Sequence, residues 1–178
     1  MSVTSDREFA FSFEFRQWAR RAGYSVALEE NRTVIFDVGG EIRYYLGAQS
    51  GDYVVTRADR SEAVRFVLSA RASVDLERYL AWALSVDARA AAGLSPVRLP
   101  FDKGSVAPGY EAVILTDGFA GLRRSTGEVR GVRFADRFVH PAVQYSYYAD
   151  ADLADLRRSL EAPDGAPLFT RFVSRRAL

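Results

Sequence analysis

The stretch Tyr24–Arg57, YSVALEENRTVIFDVGGEIRYYLGAQSGDYVVTR, decides the fold. It holds four short runs of β-branched and aromatic residues separated by tight-turn signals. Tyr24 to Leu28 and Thr33 to Val38 read as a hairpin around Glu29 to Arg32. Gly39-Gly40 turns the chain into Ile42 to Ala48, and Ser50-Gly51-Asp52 returns it as Tyr53 to Arg57. Strands joined by such short turns are antiparallel and leave no room for crossover helices, which excludes a doubly wound sheet.

On the N-terminal side Phe9, Phe11, Phe13 and Phe15 alternate like a strand, yet Phe11, Phe15, Trp18 and Ala22 also share one helical face. Ser12 is a suitable N-cap, Gly23 lies where a C′ residue belongs, and Arg16, Arg20 and Arg21 point away from the stripe, so a helix is predicted from about Ser12 to Ala22. On the C-terminal side Ala63 to Ser69 reads as a further strand, with Ser61 as a helix cap in the competing reading. Val74 to Ala92 is the clearest helix, with Ser73 as N-cap, Asp75 and Glu77 in the first turn and Gly93 as the stop. Its apolar face is Leu76, Tyr79, Leu80, Ala83, Leu84 and Val86. Residues 94–109 contain Pro96, Pro100 and Pro108 and form a connector, the one candidate seam.

Strands are then expected at Tyr110 to Thr116, Phe119 to Arg124, Glu128 to Phe134 and Ala142 to Tyr148. Asp152 caps a helix through about Ala162, with Leu153, Leu156 and Leu160 inward. Leu168 to Val173 ends the chain as a strand or extended tail. The expectation is an α+β fold in which antiparallel β-hairpins pack with about three helices, one domain over residues 1–178.

The 178 residues balance 24 basic against 23 acidic side chains. A polyanion-binding protein would carry a basic excess, so nucleic acid is not the expected partner. Lys103 is the single lysine among those 24; the arginine bias fits a GC-rich genome, or else an interface-prone surface. Zero cysteines exclude disulfides, thiolate nucleophiles and zinc–cysteine sites. No leader-like segment or apolar run long enough for a membrane is present, so a cytoplasmic protein without membrane attachment is expected.

Few residues suggest chemistry. His140 precedes Pro141, where an extended chain is expected, and no nucleophile signature accompanies it. Asp150, Asp152 and Asp155 are the densest acidic group, but a helix start explains Asp150 and Asp152 better than a cation. Glu29-Glu30 point apart, and Gly118 and Gly121 make no dinucleotide fingerprint. No metal and no cofactor are expected. Tyr145 and Tyr147 would share one strand face and Tyr148 the other, as core or as a recognition surface. Arg123-Arg124, the 125–127 turn, Glu128 and Arg130 form a charged hairpin suited to plug another protein's cleft.

Two blocks carry a family likeness. Phe15-Arg16-Gln17-Trp18-Ala19-Arg20-Arg21-Ala22-Gly23-Tyr24 is one. The other is Leu76-Glu77-Arg78-Tyr79-Leu80, followed by Arg89 and Gly93-Leu94-Ser95-Pro96. Together with the order of elements, they resemble the immunity protein 61 family of polymorphic toxin systems. That family includes antitoxins of secreted toxins that hydrolyse NAD. The resemblance implies an inhibitor and not an enzyme: a protein that binds its cognate toxin domain in the producing cell and blocks substrate entry. It carries over no functional residue. The toxin-binding candidates, Arg123, Arg124, Glu128, Arg130, Tyr147 and Tyr148, come from the residues alone. Two other readings compete: a small-ligand-binding β-rich domain with a Tyr-lined pocket, and a hydrolase or transferase using His140 with Asp136 or another acid.

Overall fold

A computed structural model describes residues 9–30, 32–60, 62–135 and 138–174. One antiparallel sheet of eight strands organises these residues. The strands are β1 (Tyr24–Glu29), β2 (Arg32–Asp37), β3 (Ile42–Gln49), β4 (Asp52–Asp59), β5 (Arg65–Ala70), β6 (Tyr110–Ile114), β7 (Ala120–Arg124) and β8 (Val129–Phe134). Their order is β1-β2-β3-β4-β5-β8-β7-β6. The first five form the meander that the opening stretch predicts, with Val26 opposite Ile35, Ile35 opposite Tyr44 and Leu46 opposite Val55. The stretch expected at 63–69 is the strand β5 at Arg65–Ala70 and no helix, and β5 then pairs with β8 through Leu68 and Phe134.

Five α-helices are present among the described residues, more than the three expected: α1 (Phe13–Arg21), α2 (Ser73–Ala83), α3 (Ser85–Ala91), α4 (His140–Ser146) and α5 (Leu153–Glu161). In α1, Ser12 caps the Phe15 N–H through its hydroxyl, and Gly23 follows the helix at φ +83°. Phe9 and Phe11 precede the helix but are buried, with Phe11 stacked on Phe15 at 4.3 Å.

The predicted helix 74–92 breaks at Leu84 into α2 and α3. The buried Ser85 hydroxyl donates to the Trp82 carbonyl at 2.6 Å, a side-chain bond that competes with the helical ladder. Ser73 is the first helical residue and Ala72 the cap, and Val86, expected inside, is 61% exposed.

Residues 142–148 form no strand. Pro141 lies in the first turn of α4, so His140 starts a helix where an extended residue was expected. Tyr145 and Tyr148 are then one helical turn apart and both point into the core. Asp152 caps α5 by accepting from the Ala154 N–H, as predicted. The tail makes a 3-10 turn, and Val173 bridges Val97 in the connector.

The core lies on one face of the sheet. Tyr24, Ile35, Tyr44, Leu46, Val55, Leu68 and Ala70 share that face by alternation and pack with Phe15, Trp18, Leu76, Leu80, Tyr145, Leu156 and Leu160 from the helices. Val97 and Leu99 of the connector join the same cluster. The opposite face carries Val34, Phe36, Tyr45, Gly47, Val54, Thr56, Phe66, Ser69 and Arg133, and of these none belongs to the cluster packed against the helices.

Candidate functional site

The β7–β8 hairpin is closed by Arg124 donating its N–H to Glu128 and by Gly127 at φ +90°. Its turn is exposed, and its base is held by an ionic network that joins three parts of the chain. Asp75 of α2, 7% exposed, accepts from Arg78 at 2.9 Å, from Arg130 at 2.9 Å and from the Tyr145 hydroxyl at 2.6 Å. The other arm of Arg130 donates to Asp150 at 2.6 Å. Asp150 also accepts from Arg124 and from the Tyr110 hydroxyl.

Burial opposes the charged form of Arg130, but the neighbouring Tyr145 and Asp75 outweigh it and raise its pKa. Burial of Asp150 is likewise outweighed, by Tyr110 and the two guanidinium groups, and its carboxyl is held below the usual range. Burial, reinforced by the Asp75 charge, pushes the Tyr145 phenol well up. The network joins α2, the hairpin and the segment after α4, and fixes their relative geometry.

The structure sorts the predicted interface residues. Arg123 and Glu128 are exposed on the hairpin, with Arg123 paired to Glu111 at 3.3 Å. Arg124 and Arg130 point instead to Asp150, and the Arg130 side chain is 13% exposed. Tyr147 is half-buried, packs on Phe172 at 5.0 Å and donates to the Ser105 carbonyl. Tyr148 is 1% exposed, wedged between Tyr145 and Trp82, and presents no surface to a partner. Asp150, expected to cap a helix, is the outer hub of the ionic network; Asp152 alone caps, and Asp155 pairs with Arg158.

His140 is exposed beside the rings of Phe101 and Phe138, at 5.5 and 6.0 Å. Its suggested partner Asp136 lies outside the described residues. Tyr145 and Tyr148 fill the core, and an apolar cleft of about 360 Å³ lies among helices, lined by Trp18, Ala88, Ala91, Ala92, Leu94 and Leu160.

Sequence reasoning passed over the uncovered face of the sheet. There Gly47 sits in the interior strand β3 with nothing within 4 Å of the place its Cβ would occupy. A cleft of about 260 Å³ opens above it, bounded by Arg32, Tyr45, Gln49, Val54 and Thr56. The Arg32 guanidinium lies over the Tyr45 ring at 5.2 Å and reaches Glu30 only at 3.6 Å. Farther across the face, Arg133 is held by Asp52 at 2.7 Å, Asp117 at 3.1 Å and Ser69. Arg71 lays its stem over Gly131, where a Cβ would come within 3.0 Å of it. Arg71, Arg133 and Asp52 line a second, polar cleft of about 250 Å³. The one signal in the sequence was Gly47 itself, a glycine inside a strand pattern without a turn.

Comparison with known proteins assigns the fold to a family. The immunity protein 61 family model matches residues 18–168. The chain belongs to the immunity protein 61 family. Similar to it is the "Immunity factor for TNT" of Mycobacterium tuberculosis, 29% identical over 168 residues and covering 89% of this chain and 92% of that protein. Its Mycobacterium bovis homologue gives the same figures. The solved structure of Rv3902c from M. tuberculosis superposes with a TM-score of 0.76 at 26% identity, covering 96% of this chain and 97% of that one.

The blocks that resembled the immunity protein 61 family act in the fold. Glu77 accepts from the Ser12 N–H and hydroxyl at 2.8 and 2.9 Å, seating the start of α1 on α2. Arg78 reaches the Ala151 carbonyl and Asp75. Arg89, 1% exposed, donates to the carbonyls of Ser95, Leu160, Ala162 and Pro163, so it ties α3 to the connector and to the end of α5. Glu77, Arg78 and Arg89 are therefore joints between elements of this chain.

Proposed function

We propose that this immunity protein acts by occlusion. It binds its cognate toxin domain in the cytoplasm of the producing cell and blocks the toxin's substrate until export. The observation that carries this reading is the family match over residues 18–168. A relative described as an immunity factor for TNT, matched over nearly its full length, supports a toxin as the partner. The family resemblance points to a toxin that hydrolyses NAD.

Occlusion requires a rigid surface and no reaction of its own, and the hairpin fits that need. Its base is locked by Asp75, Arg130 and Asp150, while Arg123 and Glu128, in surface ion pairs with Glu111 and Arg124, are exposed on either side of its turn. Nothing in the mechanism calls on a nucleophile, a metal or a cofactor, and among the described residues no helix is long and apolar enough to cross a membrane.

The test is co-expression with a candidate cognate toxin domain, sought in the reading frames that neighbour this one. The expected result is a stable 1:1 complex, loss of NAD consumption by the toxin and restored growth. Growth arrest despite soluble expression, with no complex on size exclusion, would overturn the reading.

A further inference from the structure

We infer that the toxin docks on the uncovered face of the sheet, with one of its apolar or aromatic side chains seated in the cleft above Gly47 and a neighbouring carboxylate on Arg32. This rests on the immunity reading and adds the surface and its chemistry.

Glycine inside a strand costs roughly 0.5–1 kcal/mol relative to alanine and leaves a gap in the packing. At Gly47 none of the described residues uses that gap. Among the described residues no backbone or side-chain atom comes within 4 Å of the place its Cβ would take, and no positive φ requires glycine there. A glycine unused by its own fold, on the face the helices leave open, suits the approach of another molecule.

The rim has the make-up of a binding hot spot. Tyr45 and Arg32 stand on one side, with the half-buried Val54 and Thr56 on the other. The Arg32–Glu30 pair, at 3.6 Å and with a glutamate side chain 87% exposed, is weak and easily exchanged for a partner's carboxylate.

The size is also suitable. Eight strands at about 4.8 Å spacing and about 3.3 Å per residue along each strand give a face on the order of 700 Å² in projection, with Leu115 laid over Gly121 and Arg71 over Gly131 at its β7–β8 end. A standard interface takes about 800 Å² of accessible surface from each partner. The row from Gly47 through Val54 and Ser69 to Arg133 is continuous across β3, β4, β5 and β8, and connects the Gly47 cleft with the polar cleft at Arg71. Arg123, opposite Glu111 and Val129, extends the same face toward the hairpin.

The experiment measures binding of the full chain to an inactivated form of the toxin domain that it neutralises in the co-expression test. Gly47→Trp fills the cleft and Arg32→Glu reverses its charge; Arg20→Glu, exposed on α1 on the far side, is the control. Gly47→Trp should weaken Kd by roughly 100-fold and Arg32→Glu by roughly 10-fold or more, each melting within a few degrees of wild type, with Arg20→Glu unchanged.

Wild-type affinity in both face variants would overturn the proposal. If Gly47→Trp lowers the melting temperature, Arg32→Glu decides, and undiminished binding there overturns it. A wild-type dimer that Gly47→Trp splits would assign the face to a second copy of the chain and overturn it as well. Failure of the wild-type chain to bind sinks the immunity reading itself, a result distinguishable from loss confined to the variants.

Discussion

Arg89 shows how much one side chain can hold in this fold. Its guanidinium is buried with no carboxylate in contact among the described residues, and burial lowers its pKa. The charge is tolerated because four backbone carbonyls face it, three of them from the end of α5 and the turn after it, where the helix dipole is negative. Arg89→Met should therefore destabilise the protein by about 3–5 kcal/mol, since it strands several buried carbonyls at once. Arg89→Lys should recover little, because a single ammonium cannot span the fork. Urea unfolding at pH 7 checks both; a loss within about 1 kcal/mol for Arg89→Met would show that water or a shifted turn satisfies these carbonyls.

Between elements, the joints matter more than the elements themselves, and the Asp150 joint has a pH signature. Its folded-state pKa is depressed, so its contribution to stability is complete above the ordinary aspartate range near pH ~4 and is lost as pH falls through the lower folded value. Wild type should thus exceed Asp150→Asn in stability at pH 7, and the gap should close progressively below about pH 4, as read by urea midpoints across the range.

The same joints explain what was legible in the sequence. The meander β1–β4 could be read because its turns are local, at Glu29 to Arg32, Gly39-Gly40 and Ser50-Gly51. Helix α4 was missed because Tyr145, Ser146, Tyr147 and Tyr148 have strand composition; the spacing of Tyr145 and Tyr148 by three was the signal to weigh, with Pro141 at the start. The ionic network was out of reach, because Asp75 meets Tyr145 across 70 positions and Arg130 across 55. For the same reason Arg130, read as a surface anchor, proved to be the hairpin's internal brace.

For the molecule as a whole, a single core cluster takes residues from α1, the meander, the connector and the C-terminal helices. We therefore expect residues 94–109 to join parts of one cooperative unit, with calorimetric and van't Hoff enthalpies agreeing in one transition. Two resolved transitions would place a true seam in the connector.

The two-sided sheet has a consequence for how such a protein changes over generations. Along each of β2 to β4, one residue in two faces the core and its neighbour faces out. Substitutions at alternate positions should then have opposite costs. At Ile35, Tyr44, Leu46 and Val55 they should lower abundance, whereas at Phe36, Tyr45, Gly47 and Val54 they should leave abundance nearly intact and alter which toxin is resisted. A lineage facing a new toxin can thus rewrite one letter in two of the same strands without relearning how to fold.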